Sequence, residues 1–207
     1  AANHAVGLDN VALMTDLQRA AFYDALTGLP NRTRLAELVD DSLGAGVDAT
    51  LCLVDIDQFA ETNDALGHQF GDALLGAVAQ RLRLRLDARL ALARIGGDIF
   101  CVLGQADLID PAALQDLFSA PFSIEGQDVQ VSATLGLVRL REHEGSAADA
   151  LKDADIALKR AKTQRRGGHF YFSRGMGVEI RERVRLMHAL RSGFARGELF
   201  LAYQPQV

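Results

Sequence analysis

Two acids leave an apolar run at Asp55-Ile56-Asp57, and a third follows a glycine pair in Arg94-Ile95-Gly96-Gly97-Asp98-Ile99-Phe100. Carboxylates so placed suit a hard divalent cation, because Mg²⁺ takes oxygen ligands, usually one or two carboxylates together with substrate phosphates. Thr50 to Ile56 is short and apolar enough for a buried strand, so Asp55 and Asp57 would stand at its end. The runs Leu90 to Ile95 and Ile99 to Leu103 flank Gly96-Gly97 and predict a β-hairpin with a two-residue glycine turn. Asp98 would lie just past that turn, where a carboxylate could meet a ligand. Between the strand and the hairpin, Asn63 offers an amide donor and acceptor and Asp72 a paired acceptor. Such groups can read a guanine edge. Taken singly, each has a plainer reading: a bare hairpin, a turn or helix-start acid, a loop or cap residue.

Periodicity outlines the elements that must position these residues. Leu8 to Ala25 has Val11, Leu13, Leu17, Ala20 and Ala21 at helical spacing. Arg32 to Leu43 and Asp72 to Leu86 read as helices, as does Pro111 to Ser119. Pro121 to Ile124 and Val129 to Leu140 read as strands joined by a Glu125-Gly126-Gln127 turn. Ser146 caps a helix that runs to Lys162. Helices interleaved with hairpin-linked strands predict an α+β sheet layered with helices. A boundary falls near Gly167-Gly168, followed by a short aromatic strand, His169 to Phe172. Val178 to Arg196 is a basic amphipathic helix with Ile180, Val184, Met187, Leu190 and Phe194 on one face. Its arginines suit an anionic partner or a solvated face.

At 207 residues and 49% hydrophobic content the chain can bury a sizeable core. Its net charge of -5 argues against nonspecific binding to a nucleic-acid polymer, though not against a small anionic ligand. No apolar run approaches the ~20 residues of a membrane span. Nothing at the start reads as a signal peptide, and the chain, beginning at Ala1, reads as a piece of a longer protein. Cys52 and Cys101 have no ligand spacing and read as core thiols of a reducing compartment. A cytoplasmic location is expected for this fragment, with no membrane contact of its own.

Several motifs, in order, resemble the GGDEF-domain family of diguanylate cyclases. They are Asp24-Ala25-Leu26-Thr27-Gly28-Leu29-Pro30-Asn31-Arg32, Asp55-Ile56-Asp57-Gln58-Phe59, Asn63-Asp64, and Gly67-His68-Gln69-Phe70-Gly71-Asp72. The Gly96 to Phe100 signature, Val131-Ser132-Ala133-Thr134-Leu135-Gly136 and Ala154 to Lys162 complete the set. The resemblance implies a central, mostly antiparallel sheet of ferredoxin-like, palm-type topology flanked by helices. It implies that two GTP molecules, one on each protomer of a homodimer, are joined with release of pyrophosphate, assisted by Mg²⁺ or Mn²⁺. It assigns Asp55, the Ile56 carbonyl and Asp98 to metal, and makes Asp98 the candidate base for the ribose 3′ hydroxyl. Phe59, Asn63 and Asp72 fall to the substrate, the last two reading guanine. Lys162 and Arg166 fall to its phosphates; their plainer reading is as exposed cations at a helix end. The helix of 1–23 then reads as a signalling and dimerising element ahead of a GGDEF domain at 24–172. Residues 173–207, ending Tyr203-Gln204-Pro205-Gln206-Val207, resemble a linker helix and the opening of an EAL phosphodiesterase domain.

The departures are as telling as the matches. Ile99 stands where the family carries a metal-holding acid, and Ala60 where active members usually carry a phosphate-facing lysine. Asp55, Asp98 and Asp57 are the carboxylates left. Each lost stabilising group typically costs ~10²–10³ in rate. The product-inhibition motif, Arg-x-x-Asp, is replaced by Asp87-Ala88-Arg89-Leu90, and Lys159 replaces the usual tyrosine of the last helix. The expected function is therefore a degenerate domain that binds GTP with Mg²⁺ and regulates an attached phosphodiesterase. A slow diguanylate cyclase and a nucleotide-free dimerisation or relay module are the alternatives.

Overall fold

The structure, a computed structural model, describes residues 19–198, the side chains of 176–184 excepted. Most of the expected helix from Leu8 to Ala25, and the ending after Glu198, lie outside the described residues; residues 19–22 are helical. Two compact units divide at residue 172/173.

In the first unit, helix α1 (Arg32–Gly44) begins where the Asn31 side chain accepts from the Arg34 N–H, and strand β1 (Ala49–Ile56) follows. All eight β1 residues are buried, as a central strand covered on both faces requires. Next come α2 (Phe59–Leu66), α3 (His68–Arg85), β2 (Ala91–Gly96), β3 (Ile99–Gln105) and α4 (Pro111–Asp116). The unit closes with β4 (Phe122–Ile124), β5 (Gln127–Val129), β6 (Ala133–Arg139), α5 (Ala147–Gln164) and β7 (His169–Tyr171). The main sheet has the order β2-β3-β1-β6-β7. Its pairs are antiparallel except β6 with β7, so the expected mostly antiparallel α+β sheet is present.

Strand alternation splits the core into two layers. Cys52, Val54 and Ile56 of β1 pack on the α3 side with Leu74, Val78 and Leu82. Leu51 and Leu53 point to the other face, against Leu35 and Val39 of α1 and Ala154 and Leu158 of α5. Cys52 and Cys101 are both buried, one in each layer. Helix α5 opens with a reciprocal Ser146–Asp149 capping box. It lies so close on β6 that a Cβ at Gly136 would run into the Ala154 carbonyl and the Leu158 backbone. That close approach fixes where the far end of α5, with Lys162, meets the sheet.

Local differences from the sequence reading have local causes. The hairpin turn is Gly97-Asp98, because Gly96 pairs with Ile99 across a register shift after Arg94. Asp98 is thus in the turn rather than past it. The strand expected over Val129 to Leu140 is two strands: β5 pairs with β4 in a separate hairpin, and β6 joins the main sheet. The segment carrying Asn63 is itself a helix, and α3 starts at His68, one turn earlier than its apolar pattern suggests.

The second unit contains α6 (Arg174–Ala195). Of its expected apolar face, Met187, Leu190 and Phe194 are exposed, together with Leu186; Ile180 and Val184 lie outside the described side chains.

Candidate functional site

The C-terminal end of β1 and the β2–β3 turn are adjacent: the Ile56 N–H donates to the Asp98 carbonyl at 3.2 Å. Asp55 alternates onto the α5 face, following Leu51 and Leu53, and its Cα partner across the ladder is Ile99. Asp55 is 4% exposed. The Lys162 Nζ stands 2.6 Å from its Oδ1. At that distance the contact is a close, charge-assisted ion pair. Burial pushes the Asp55 carboxyl up to about 6; the Lys162 contact opposes this, and the Asp98 and Asp57 charges add to it.

Asp57 has a different task. Its carboxylate accepts from the Ser132 hydroxyl (2.6 Å), the Thr134 hydroxyl (2.6 Å) and the Gly167 N–H (3.0 Å). It ties the end of β1 to the start of β6 and to the turn after α5, which removes it from the set of carboxylates open to a ligand. Ile99 packs its side chain against the apolar layer shared by α1 and α5, as does Ile95. Position 99 therefore adds a hydrocarbon surface next to Asp55 and no ligand atom.

Asn63 lies in α2 and Asp72 near the start of α3, two helices that turn about Gly67. The Asn63 Oδ1 is buried without a hydrogen-bond partner. It lies over Gly71, where a Cβ would collide with it and would come within 3.2 Å of the Phe59 ring. Gly71 thereby lets Asn63 come beside its neighbour Asp72, which is exposed. The Phe59 side chain is spent in the core, so its part at this site is to floor Gly71. Arg166 is exposed in the turn after α5, and Ala60 is exposed in the first turn of α2. The structure thus brings Asp55, Asp98 and Lys162 to one strand end and sets Asn63 beside Gly71-Asp72. It gives Arg166 no contact with either group.

Two features escaped the sequence reading. Arg94 donates from Nη1 to both carboxylate oxygens of Asp24 (2.9 and 2.8 Å) and from Nε and Nη2 to the Gly97 carbonyl at 3.1 and 2.6 Å. Burial alone would raise the Asp24 carboxyl, but hydrogen bonds from Thr27 and Arg94 outweigh it and hold it below its ordinary value. This clamp locks the 24–32 segment onto the hairpin, helped by the Arg94 N–H on the Pro30 carbonyl. The other is the Asp57 anchor. Asp24, Asp57, Ser132 and Thr134 lie in the family-like motifs, but pairings 70 or more residues apart leave no periodic trace. Asp87 and Arg89, at the product-inhibition position, pair with each other on the surface at 2.7 Å.

Among the described residues, no three His, Cys, Asp or Glu side chains gather to hold a metal ion. A divalent ion at the strand end would meet Asp55, already faced by Lys162, the turn acid Asp98 and the Ile56 carbonyl. With Asp57 committed and Ile99 apolar, two carboxylates and one carbonyl are left for such an ion, a set that suits Mg²⁺ together with substrate phosphates. Among the described residues no helix is long and apolar enough to cross a membrane.

The model of the diguanylate cyclase GGDEF domain matches residues 21–168. The chain is 40% identical over 197 residues to an uncharacterized signaling protein of Caulobacter vibrioides, covering 89% of this chain and 24% of that protein. It is 34% identical to MucR of Pseudomonas aeruginosa, a bifunctional diguanylate cyclase/cyclic di-GMP phosphodiesterase, over 93% of this chain and 29% of MucR. It therefore spans about a quarter of the length of the curated relatives it matches. The solved GGDEF domain of P. aeruginosa TpbB (YfiN) superposes with a TM-score of 0.65 at 33% identity, covering 77% of this chain and 99% of that one. A match across most of the chain, with the sheet order and strand-end acids of this structure, places the chain in the diguanylate cyclase GGDEF-domain family.

Proposed function

We propose that this GGDEF domain binds GTP as a regulatory ligand in a cyclic di-GMP signalling protein and has little or no cyclase turnover. The observation that carries the reading is the contrast between the two ends of the site. At the base-reading end, Asn63 keeps an unpaired amide oxygen over Gly71 and beside the exposed Asp72, and rotation of that amide would offer it to the N–H donors of guanine. At the reacting end, Ile99 faces Asp55 without a ligand atom and Ala60 offers no cation. Phosphoryl transfer depends on positioning and charge stabilisation, so binding outlasts catalysis when those groups go. Lys162 and Arg166 remain as cations for the phosphates, and Asp98 as the one acid in the turn. Residues 173–207 are read as the linker helix and opening of an EAL phosphodiesterase domain, in keeping with the two activities that MucR is named for. GTP would then favour one domain arrangement of a cytoplasmic homodimer paired through the helix of 1–23. A ligand shifts such an equilibrium only by its differential affinity for the two states.

The test is cyclic di-GMP formation from GTP, read by chromatography and mass spectrometry. The chain is fused to a strong dimeriser and run beside Ile99→Glu. A silent wild type with an active Ile99→Glu supports the reading. Product from the wild type that depends on Asp98 replaces it with a working cyclase.

A further inference from the structure

We propose that a cavity on the β6 side of β1 binds a guanidinium-bearing ligand, at a site separate from the one that holds Asp55, Asp98 and Asn63. The cavity has a volume of about 420 Å³, in the range of small-molecule pockets. It opens between the β1–α2 turn, the segment after α4 and the link from β5 to β6, with Gly167 at its edge. Asp55, Asp98, Asn63 and Lys162 take no part in its wall. Neither does Arg166, although it adjoins Gly167 in the chain. Among the described residues that line the cavity, Asp57 is the one charged side chain. It is 6% exposed, and its carboxylate is held by two hydroxyls and one backbone N–H, all neutral. Its oxygens are spent on these donors, but its negative charge is not cancelled by them, and a charge acts more strongly across a dry interior than across water. The polar side chains around it have donated their hydrogens elsewhere. The Thr62 hydroxyl donates to the Gln58 carbonyl, that of Ser119 to the Asp116 carbonyl, and that of Ser132 to Asp57. The Gln115 amide donates to the Gly167 carbonyl at 2.6 Å, and the Gln130 amide to the Phe118 carbonyl at 2.8 Å. A carbonyl only accepts, so these bonds fix which amide atom is nitrogen, and each glutamine keeps its oxygen for a ligand. Oxygen acceptors in several directions, one negative charge and the apolar Phe118 and Val131 suit a flat cation rich in N–H donors. A guanidinium presents such donors in a planar fork and is more weakly hydrated than an ammonium. The same groups disfavour an anion, the triphosphate of GTP included.

The test is a titration of the isotope-labelled chain followed by heteronuclear NMR, with agmatine as the probe. Nucleotide is left out, so the outcome is independent of the GTP-binding reading. Agmatine is expected to shift the Gln115 and Gln130 side-chain amides and the Gly167 N–H, with half-saturation at ~1 mM or below. N-carbamoylputrescine, which replaces the guanidinium by a neutral urea of the same shape, should bind at least about tenfold more weakly. Gln58→Glu adds a carboxylate at the rim and should tighten agmatine by about threefold. Ser119→Arg supplies a guanidinium from the chain itself and should abolish the shifts, with a thermal melt to show that the fold is intact. N-acetylarginine methylamide carries the same group on a peptide backbone. If it binds more tightly than agmatine, the ligand is an arginine side chain of a partner; if it binds more weakly, the ligand is a free small molecule, and both results uphold the site. Equal shifts from the urea analogue, or unaltered agmatine binding by Ser119→Arg, overturn the proposal. So do shifts spread over the acidic surface with the cavity amides unmoved, and no shift at all up to ~20 mM agmatine.

Discussion

Asp55, buried against Lys162, and Asn63, whose Oδ1 has no hydrogen-bond partner, each make a distinct claim about the site. The Asp55 carboxyl is raised from 3.8 to about 6, chiefly by burial. Between those values the folded chain binds more protons than the unfolded one. Folding stability therefore falls as pH rises from 3.8 through 6 and is level in this respect above that range. Asp55→Asn should remove this slope, so the stability difference between the two proteins shifts by on the order of 3 kcal/mol across the window. Urea denaturation at a series of pH values reads it. Asn63 depends on Gly71 instead. In Gly71→Ala the new Cβ displaces the Asn63 amide, and GTP affinity should fall about tenfold. The melting temperature should barely move, because alanine suits a helix better than glycine does. A large loss of stability with unchanged affinity would show that Gly71 serves packing and not the site.

Elements meet at this site through side chains far apart in sequence. Asp57 gathers Ser132 and Thr134 from one segment and Gly167 from another, and its loss leaves three donors without their acceptor. Asp57→Ala should destabilise the domain by about 3 kcal/mol, measured by chemical denaturation, because hydrogen bonds to a buried charge are among the stronger ones. A change under about 0.5 kcal/mol, the range of neutral surface substitutions, would contradict the anchoring role. These long-range ties mark where sequence reading stops. Strands β1 and β3 and the capped helix α5 were legible because their signals are local: a short apolar run, alternation, Ser146 with Asp149. The register shift at Gly96 was not legible, since a one-residue bulge in a glycine pair leaves the apolar pattern unchanged. The break between β5 and β6 was hidden because Val129, Val131 and Ala133 keep a period of two across it. Asp57 read as a spare ligand, because acids that hold metal and acids that hold backbone look alike in one dimension. The Asp24–Arg94 clamp joins two motifs that sequence could quote but not pair.

For the molecule as a whole, the family fold positions a recognition end and a reacting end, and this chain has kept them unequally. Ile99 sits in an apolar layer that runs from α1 to α5, so it contributes to the core as well as subtracting from the site. The proposed function makes this GGDEF domain a GTP sensor within a longer signalling chain. The most direct test of that role is calorimetric titration of GTP into the wild-type chain, with Asn63→Ala and ATP as controls. Saturable binding of one GTP per chain, lost in Asn63→Ala and absent with ATP, is the predicted result. No binding at millimolar GTP by a folded wild-type chain would contradict it and leave the domain as a dimerisation or relay module.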